Sequence, residues 1–204
     1  IDGNFHNAEN KVQRMLYSMI HRGPDDKGVL VDKNVCLGHR RLSIIGLEGG
    51  RQPLSNEDGS VWVTFNGEIY NYQDIRKDLI KKGHTFKTNT DTEVLVHLYE
   101  EYGMDFVPKL NGMFAFAIWD SNNGILSIAR DRLGVKPLYY AWINNTFYFA
   151  SELKALWVVM DADLDINLNA LYNYMSYKYT PVSDSIFTQI KKLTPGCYMR
   201  CQSK

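Results

Sequence analysis

Two apolar, aromatic-rich runs, residues 113–119 and 125–129, face each other across Ser121-Asn122-Asn123-Gly124. This pairing constrains the fold more than any other feature. Runs of β-branched and aromatic residues separated by a short Asn/Gly turn form an antiparallel hairpin. A second pair, 138–142 and 146–150, repeats the arrangement across Ile143-Asn144-Asn145. The chain has 13 Tyr, 9 Phe and 4 Trp, and they concentrate in these runs, which marks the runs as sheet core.

Helical patterns lie before and after the hairpins. In 7–20, Val12, Met15, Leu16, Met19 and Ile20 recur at helical spacing. Asn7 is placed to cap this helix, and Gly23-Pro24 stops it. Val29-Leu30-Val31 and Val35-Cys36-Leu37 predict two short strands, and 61–65 a third. Residues 72–82 predict a helix closed by Gly83, and Phe86 is expected in a short strand. Thr90 with Glu93 reads as a capping box for the next helix, whose stripe is Val94, Leu95, Leu98, Tyr99 and Tyr102. Ser151–Lys154 opens another helix, Leu168–Tyr177 another, and 180–183 is a loop. Helices at both ends of many antiparallel strands give an α+β class.

Composition excludes several functions. The 23 basic and 23 acidic residues cancel to a net charge of +0, so no charged surface for nucleic acid or membrane is indicated. No apolar run approaches membrane-spanning length. Three cysteines, an odd number without a dense framework, fit a reducing, cytoplasmic setting. Cys197 and Cys201 lack a second pair or a histidine cluster to complete a metal set, so no metal site is assigned. His84 and His97 have no supporting context in the sequence.

The chemistry-bearing segment is Phe65-Asn66-Gly67-Glu68-Ile69-Tyr70-Asn71-Tyr72, read as the end of strand 61–65. An Asn amide beside a Gly N–H supplies two neutral donors of the kind that hold a developing oxyanion. Glycine also allows a ligand close to the backbone. A neighbouring carboxylate, Glu68, can receive an amine. Taken alone, Asn-Gly is equally a plain turn. Asp91, at a helix start, has a structural reading as well as a ligand-binding one. Arg40 and Arg41 are adjacent in an extended segment, so only one can face a given pocket.

The set His21-Arg22-Gly23-Pro24-Asp25-Asp26, Gly38-His39-Arg40-Arg41-Leu42-Ser43-Ile44-Ile45, the 65–72 segment, Thr90-Asp91-Thr92-Glu93, 111–120 and 130–140 resembles, in order and spacing, one family. That family is the glutamine amidotransferase domain of glutamine-hydrolysing asparagine synthetases, the class II type with an N-terminal nucleophile. The resemblance runs to about Pro195-Gly196. It implies a four-layer αββα sandwich of two antiparallel sheets between helical layers, the Ntn-hydrolase type. It implies that Arg41 binds the glutamine α-carboxylate, with Leu42, Ser43, Ile44 and Ile45 lining that edge. It places Asn66 and Gly67 at the oxyanion hole, and Glu68 and Asp91 at the ammonium end.

The family's nucleophile is a leading Cys followed by Gly-Ile, whereas this chain begins Ile1-Asp2-Gly3. The expectation is that the chain starts inside the first strand and, as written, does not hydrolyse glutamine. His21 and His39 are then structural hydrogen-bonders, and Arg130 and Lys136 serve loop packing. The domain is expected over 1–190, with 191–204 leading to a synthetase domain. No cofactor is expected here; ATP and Mg belong to that synthetase domain. The expected partners are glutamine and the synthetase domain of the same polypeptide, with no nucleic acid or membrane and a homodimer left open. Two other readings stay open: service to a different acceptor, and a degenerate glutamine-binding domain without a nucleophile.

Overall fold

The computed structural model describes residues 7–42, 50–160, 163–181 and 183–202. Ser43, Ile44, Ile45 and the expected remnant of a first strand at Ile1–Gly3 lie outside the described residues.

In chain order the elements are helix α1 (Ala8–Ser18), strands β1 (Asp26–Asp32), β2 (Val35–Arg41), β3 (Leu54–Ser55) and β4 (Val61–Ile69), and helices α2 (Tyr72–Lys81) and α3 (Glu93–Tyr102). Strands β5 (Gly112–Asp120), β6 (Ile125–Arg130), β7 (Tyr139–Ile143) and β8 (Thr146–Ala150) follow. Helices α4 (Leu153–Trp157) and α5 (Leu168–Tyr177), then strands β9 (Lys191–Lys192) and β10 (Tyr198–Gln202), complete the fold. All strand pairs are antiparallel, in sheets ordered β10-β6-β5-β4-β3, β1-β2 and β8-β7-β9.

Side-chain alternation turns these sheets into layers. Along β5, Phe114, Phe116 and Ile118 point to one face, where they meet Val63 and Phe65 of β4 and Val94, Leu95 and Leu98 of α3. Ala115, Ala117 and Trp119 point to the other, where they meet Val35 and Leu37 of β2 and Phe147 and Phe149 of β8. The alternate residues of β7 and β8, Ala141, Tyr148 and Ala150, pack on Met15 of α1 and on Ala155 and Leu156 of α4. The sequence of layers is therefore helix, sheet, sheet, helix. Among the described residues, the second sheet layer consists of the two small sheets.

Several local expectations are corrected. β4 does not end at 65: its register with β5 runs unbroken to the pair Ile69–Gly112, so Asn66, Gly67 and Glu68 lie within a strand. Phe86 is in no strand. Its ring sits between the Arg76 guanidinium, 4.3 Å from the ring centre, and the His97 ring, 4.5 Å away. Thr90 and Glu93 form no capping box, since α3 begins at Glu93 with Thr92 at its cap. Glu93 instead turns back, accepting from the backbone N–H groups of Lys87 at 2.7 Å and Thr88 at 2.6 Å. Asn7 occupies the cap position of α1 without a side-chain cap bond. The strands β9 and β10 carry the fold past 190, the expected boundary, with β10 forming the edge of the five-stranded sheet. Among the described residues no helix is long and apolar enough to cross a membrane.

Candidate active site

Strand parity sets the geometry of the site. Tyr70 N–H donates to the Asn111 carbonyl of the neighbouring chain segment at 2.7 Å, so even-numbered residues of β4 direct their N–H toward β5. Odd-numbered ones direct theirs to the opposite edge. β3 covers that edge only at Trp62 and Val63. Beyond it, side chains satisfy the row: Phe65 N–H donates to Gln52 Oε1 at 2.6 Å, and Ile69 N–H to Asp91 Oδ2 at 2.9 Å. Between them stands Gly67 N–H, which has no partner among the described residues. It is a donor aimed out of the sheet edge, flanked by two that are occupied.

Gly67 is required here for steric reasons. A Cβ at this position would overlap the Met113 carbonyl oxygen of β5. The side chain of Asn66 leaves the same strand on the inter-sheet face, next to Thr64, and makes no hydrogen bond among the described residues. One amide side chain and one backbone N–H are thus adjacent and uncommitted, the arrangement an oxyanion requires.

Both donors line a cavity of about 1400 Å³, together with Arg41, Leu42, Glu68 and Asp91. Inward, between the sheets, its wall is apolar and includes Ala117, Leu138 and Phe147. Arg41 ends β2, and its guanidinium reaches toward Gly50: Nη2 lies 2.8 Å from where a Cβ on that glycine would sit. Arg40 turns the other way and donates through Nε to the Leu16 carbonyl of α1 at 3.1 Å. The alternation expected of the Arg40-Arg41 pair is present, and Arg40 ties β2 to α1. Burial raises the Asp91 carboxyl above the usual carboxylate range, and the charge of neighbouring Glu68 adds to this.

Residues flanking the site act on its shape. His39 Nδ1 pairs with Thr64 Oγ1 at 3.2 Å, joining β2 to β4. Burial first and the Arg41 charge second, opposed by Asp26, lower the His39 pKa to about 4. His39 is therefore neutral and structural. His21 contacts Glu152 at 3.0 Å at the surface. Asn71 links α2 to the start of β5, donating to the Lys109 carbonyl at 3.0 Å and accepting from Asn111 N–H at 2.9 Å. Asp131 accepts from Phe114, Leu133, Val135 and Lys136 N–H groups, while Arg130 donates to the carbonyls of Gly134, Lys136 and Leu193. The 130–136 loop is thus held by the Asp131 carboxylate and the Arg130 guanidinium, which bond its backbone and tie it to Phe114 and Leu193.

Gln52 was not singled out in the sequence. Besides accepting from Phe65, it donates to Thr92 Oγ1 at 3.4 Å and so bridges β4 to the start of α3. A lone Gln ahead of a Pro carries no pattern that announces this. Cys36 and Cys201 also line the cavity, but burial pushes both thiols up to about 11, with Glu9 adding to the shift at Cys36. They stay protonated at neutral pH and are not activated nucleophiles.

The α+β sandwich thus carries an open strand edge with two free donors beside a cavity that Arg41, Glu68 and Asp91 also line. The glutamine amidotransferase domain family matches residues 1–204, and the chain belongs to it. Among its relatives, asparagine synthetase [glutamine-hydrolyzing] 1 of Bacillus subtilis (strain 168) is 48% identical over 188 residues, 92% of this chain and 30% of that protein. Asparagine synthetase [glutamine-hydrolyzing] 3 of the same organism is 40% identical over 91% of the chain and 31% of its own length. A probable asparagine synthetase of Dictyostelium discoideum is 48% identical over 67% of the chain and 25% of its length. The chain thus spans under a third of the length of these relatives. In solved structures the fold recurs in the allosteric regulatory enzyme of purine biosynthesis, with a TM-score of 0.70 at 23% identity, covering 95% of this chain and 44% of that one. It recurs also in the glutamine phosphoribosylpyrophosphate amidotransferase of B. subtilis, with a TM-score of 0.62 at 22% identity, covering 94% and 46%.

Proposed function

We propose that this domain is the glutaminase half of a glutamine-dependent asparagine synthetase, releasing ammonia from glutamine for an ATP- and Mg-dependent amidation of aspartate in a synthetase domain of the same polypeptide. The observation that carries the glutaminase reading is the uncommitted Gly67 N–H beside the uncommitted Asn66 amide on the cavity wall. The relatives' names support aspartate as the acceptor. In this reading Arg41 meets the substrate α-carboxylate with its planar fork. Glu68 and Asp91 receive the α-ammonium. A thiolate, which the family resemblance assigns to a leading cysteine, attacks the side-chain amide carbon. The carbonyl electrons move to oxygen, where Asn66 and Gly67 N–H hold the charge. The leading residue's own α-amine, which took the thiol proton, passes it to the amide nitrogen, so that collapse expels ammonia and leaves a thioester; water then adds to the thioester carbon and releases glutamate and the thiol.

Glutamate release from the chain preceded by Cys-Gly-Ile, compared with the chain beginning at Ile1, tests the proposal. The extended form is expected to turn over glutamine and the other to give only the blank rate. Equal rates in the two would overturn the nucleophile assignment.

A further inference from the structure

Away from the cavity, four side chains converge from three segments: Glu57 in the loop before β4, His84 in the loop after α2, and His97 and Glu100 on α3. One donor atom from each lies within 4.8 Å of all the others. His97 Nδ1 is 3.0 Å from Glu100 Oε2 and 3.6 Å from Glu57 Oε2, and His84 Nδ1 is 3.7 Å from Glu100 Oε2. Four N and O ligands around a tetrahedral zinc, with bonds of about 2.0–2.2 Å, stand roughly 3.4 Å apart. The three measured separations bracket that edge.

The outward-facing atoms of the same residues are engaged elsewhere, which fixes the inward ones. Glu57 Oε1 accepts from Thr85 N–H at 2.9 Å, and Glu100 Oε1 accepts from Asn56 Nδ2 at 2.8 Å. His84 Nε2 pairs with Glu101 Oε1 at 3.1 Å. His97 is wholly buried, and its Nε2 faces Glu93 Oε1 at 3.9 Å without a hydrogen bond. Both nitrogens of this ring therefore look at carboxylates, while a neutral imidazole has a single N–H. Against burial, the facing carboxylates favour a second proton on this ring, and a cation at Nδ1 would take that proton's place while leaving the other on Nε2, facing Glu93. Carboxylates behind ligating histidines are the usual support of such sites.

The geometry points to a structural zinc site formed by Glu57, His84, His97 and Glu100. Its place gives it a consequence. Glu93 behind His97 holds the N–H groups of Lys87 and Thr88, and the segment continues through Asp91 into the cavity wall. A cation here ties the 84–93 loop to α3.

The test is calorimetric titration of the metal-depleted chain with Zn²⁺ alone, paired with thermal unfolding. One zinc per chain is expected, with the unfolding temperature rising by roughly 5–10 °C at a hundredfold excess over Kd. Co²⁺ in the same site should show the intense visible bands of a tetrahedral complex without thiolate charge transfer, which separates it from the three cysteines. Glu57→Gln and His84→Gln change residues at the rim rather than the buried ring, so both should fold with the parent's metal-free unfolding temperature. Each should weaken Zn²⁺ binding at least tenfold and cut the thermal shift to about half or less at the same zinc concentration. Absence of zinc uptake by the folded chain, or uptake that both variants leave unchanged, would overturn the site.

Discussion

Asp91 accepts the backbone N–H of Ile69 at 2.9 Å, so the residue that precedes α3 closes the open edge of β4 two positions beyond Gly67. One carboxylate oxygen is committed to the strand, and the group lies beside Glu68. A loop acid and a strand edge are thereby held together next to the cavity.

Replacing Asp91 by Asn separates these two duties. The amide oxygen still accepts from Ile69, so the fold is expected to stand within a few tenths of a kcal/mol. The charge is lost, and a hydrogen bond to a charged group is worth about 1.5–3 kcal/mol. Glutamine KM, measured on the form led by cysteine, should rise about tenfold to a hundredfold with kcat little changed. Because burial and Glu68 raise the Asp91 pKa, glutamine binding should begin to weaken at a higher pH than an ordinary carboxylate would dictate. An unchanged KM in Asp91→Asn would remove Asp91 from the ammonium site.

Gly67→Ala tests the strand contact. The added methyl meets the Met113 carbonyl, and the strands must part to admit it. Overpacking of this kind costs about 1–3 kcal/mol, which lowers the unfolding temperature by roughly 3–10 °C at this chain length. Asn66→Ala, at the next position, adds nothing to the strand and should leave thermal stability nearly unaltered.

His39 makes stability pH-dependent. Its folded pKa of about 4 lies below its unfolded value of about 6.5, so the fold favours the neutral ring. This contribution is complete above pH 6.5 and is lost as pH falls toward 4. The full span is about 3 kcal/mol. Denaturant unfolding of the parent and of His39→Gln at a series of pH values should show a steeper acid loss in the parent over this window. Parallel curves would show that His39 protonates freely in the fold.

Local signals were readable where periodicity was strong. Leu168–Tyr177 is the helix that the apolar pattern predicts, and the two hairpins turn at the Asn-rich segments. Both depend on neighbours in sequence. The misread features depend on distant partners. Glu93 looked like a cap residue because Thr90 is three residues before it, yet its carboxylate goes back to the 87–88 backbone. His97 first, then Thr88 and Lys87, outweigh burial and hold its pKa at about 2. Asn66–Glu68 looked like a strand end because polar residues follow an apolar run, but pairing with β5 continues the strand. The family register marked Arg41, Asn66, Gly67, Glu68 and Asp91, and the fold brings these to one cavity. Gln52 and the Glu57–His84–His97–Glu100 cluster escaped notice because they assemble only when three loops and α3 meet.

In the proposed reaction Asn66 and Gly67 N–H hold charge that exists mainly in the transition state, whereas Arg41 holds a carboxylate present throughout. Steady-state glutaminase kinetics of Asn66→Ala and Arg41→Ala, both in the form led by cysteine, test it most directly. Asn66→Ala should lower kcat about a hundredfold or more with KM nearly constant. Arg41→Ala should mainly raise KM, because its contact is made equally to ground and transition states. If Asn66→Ala weakened glutamine binding and left kcat intact, the oxyanion-hole assignment would be contradicted.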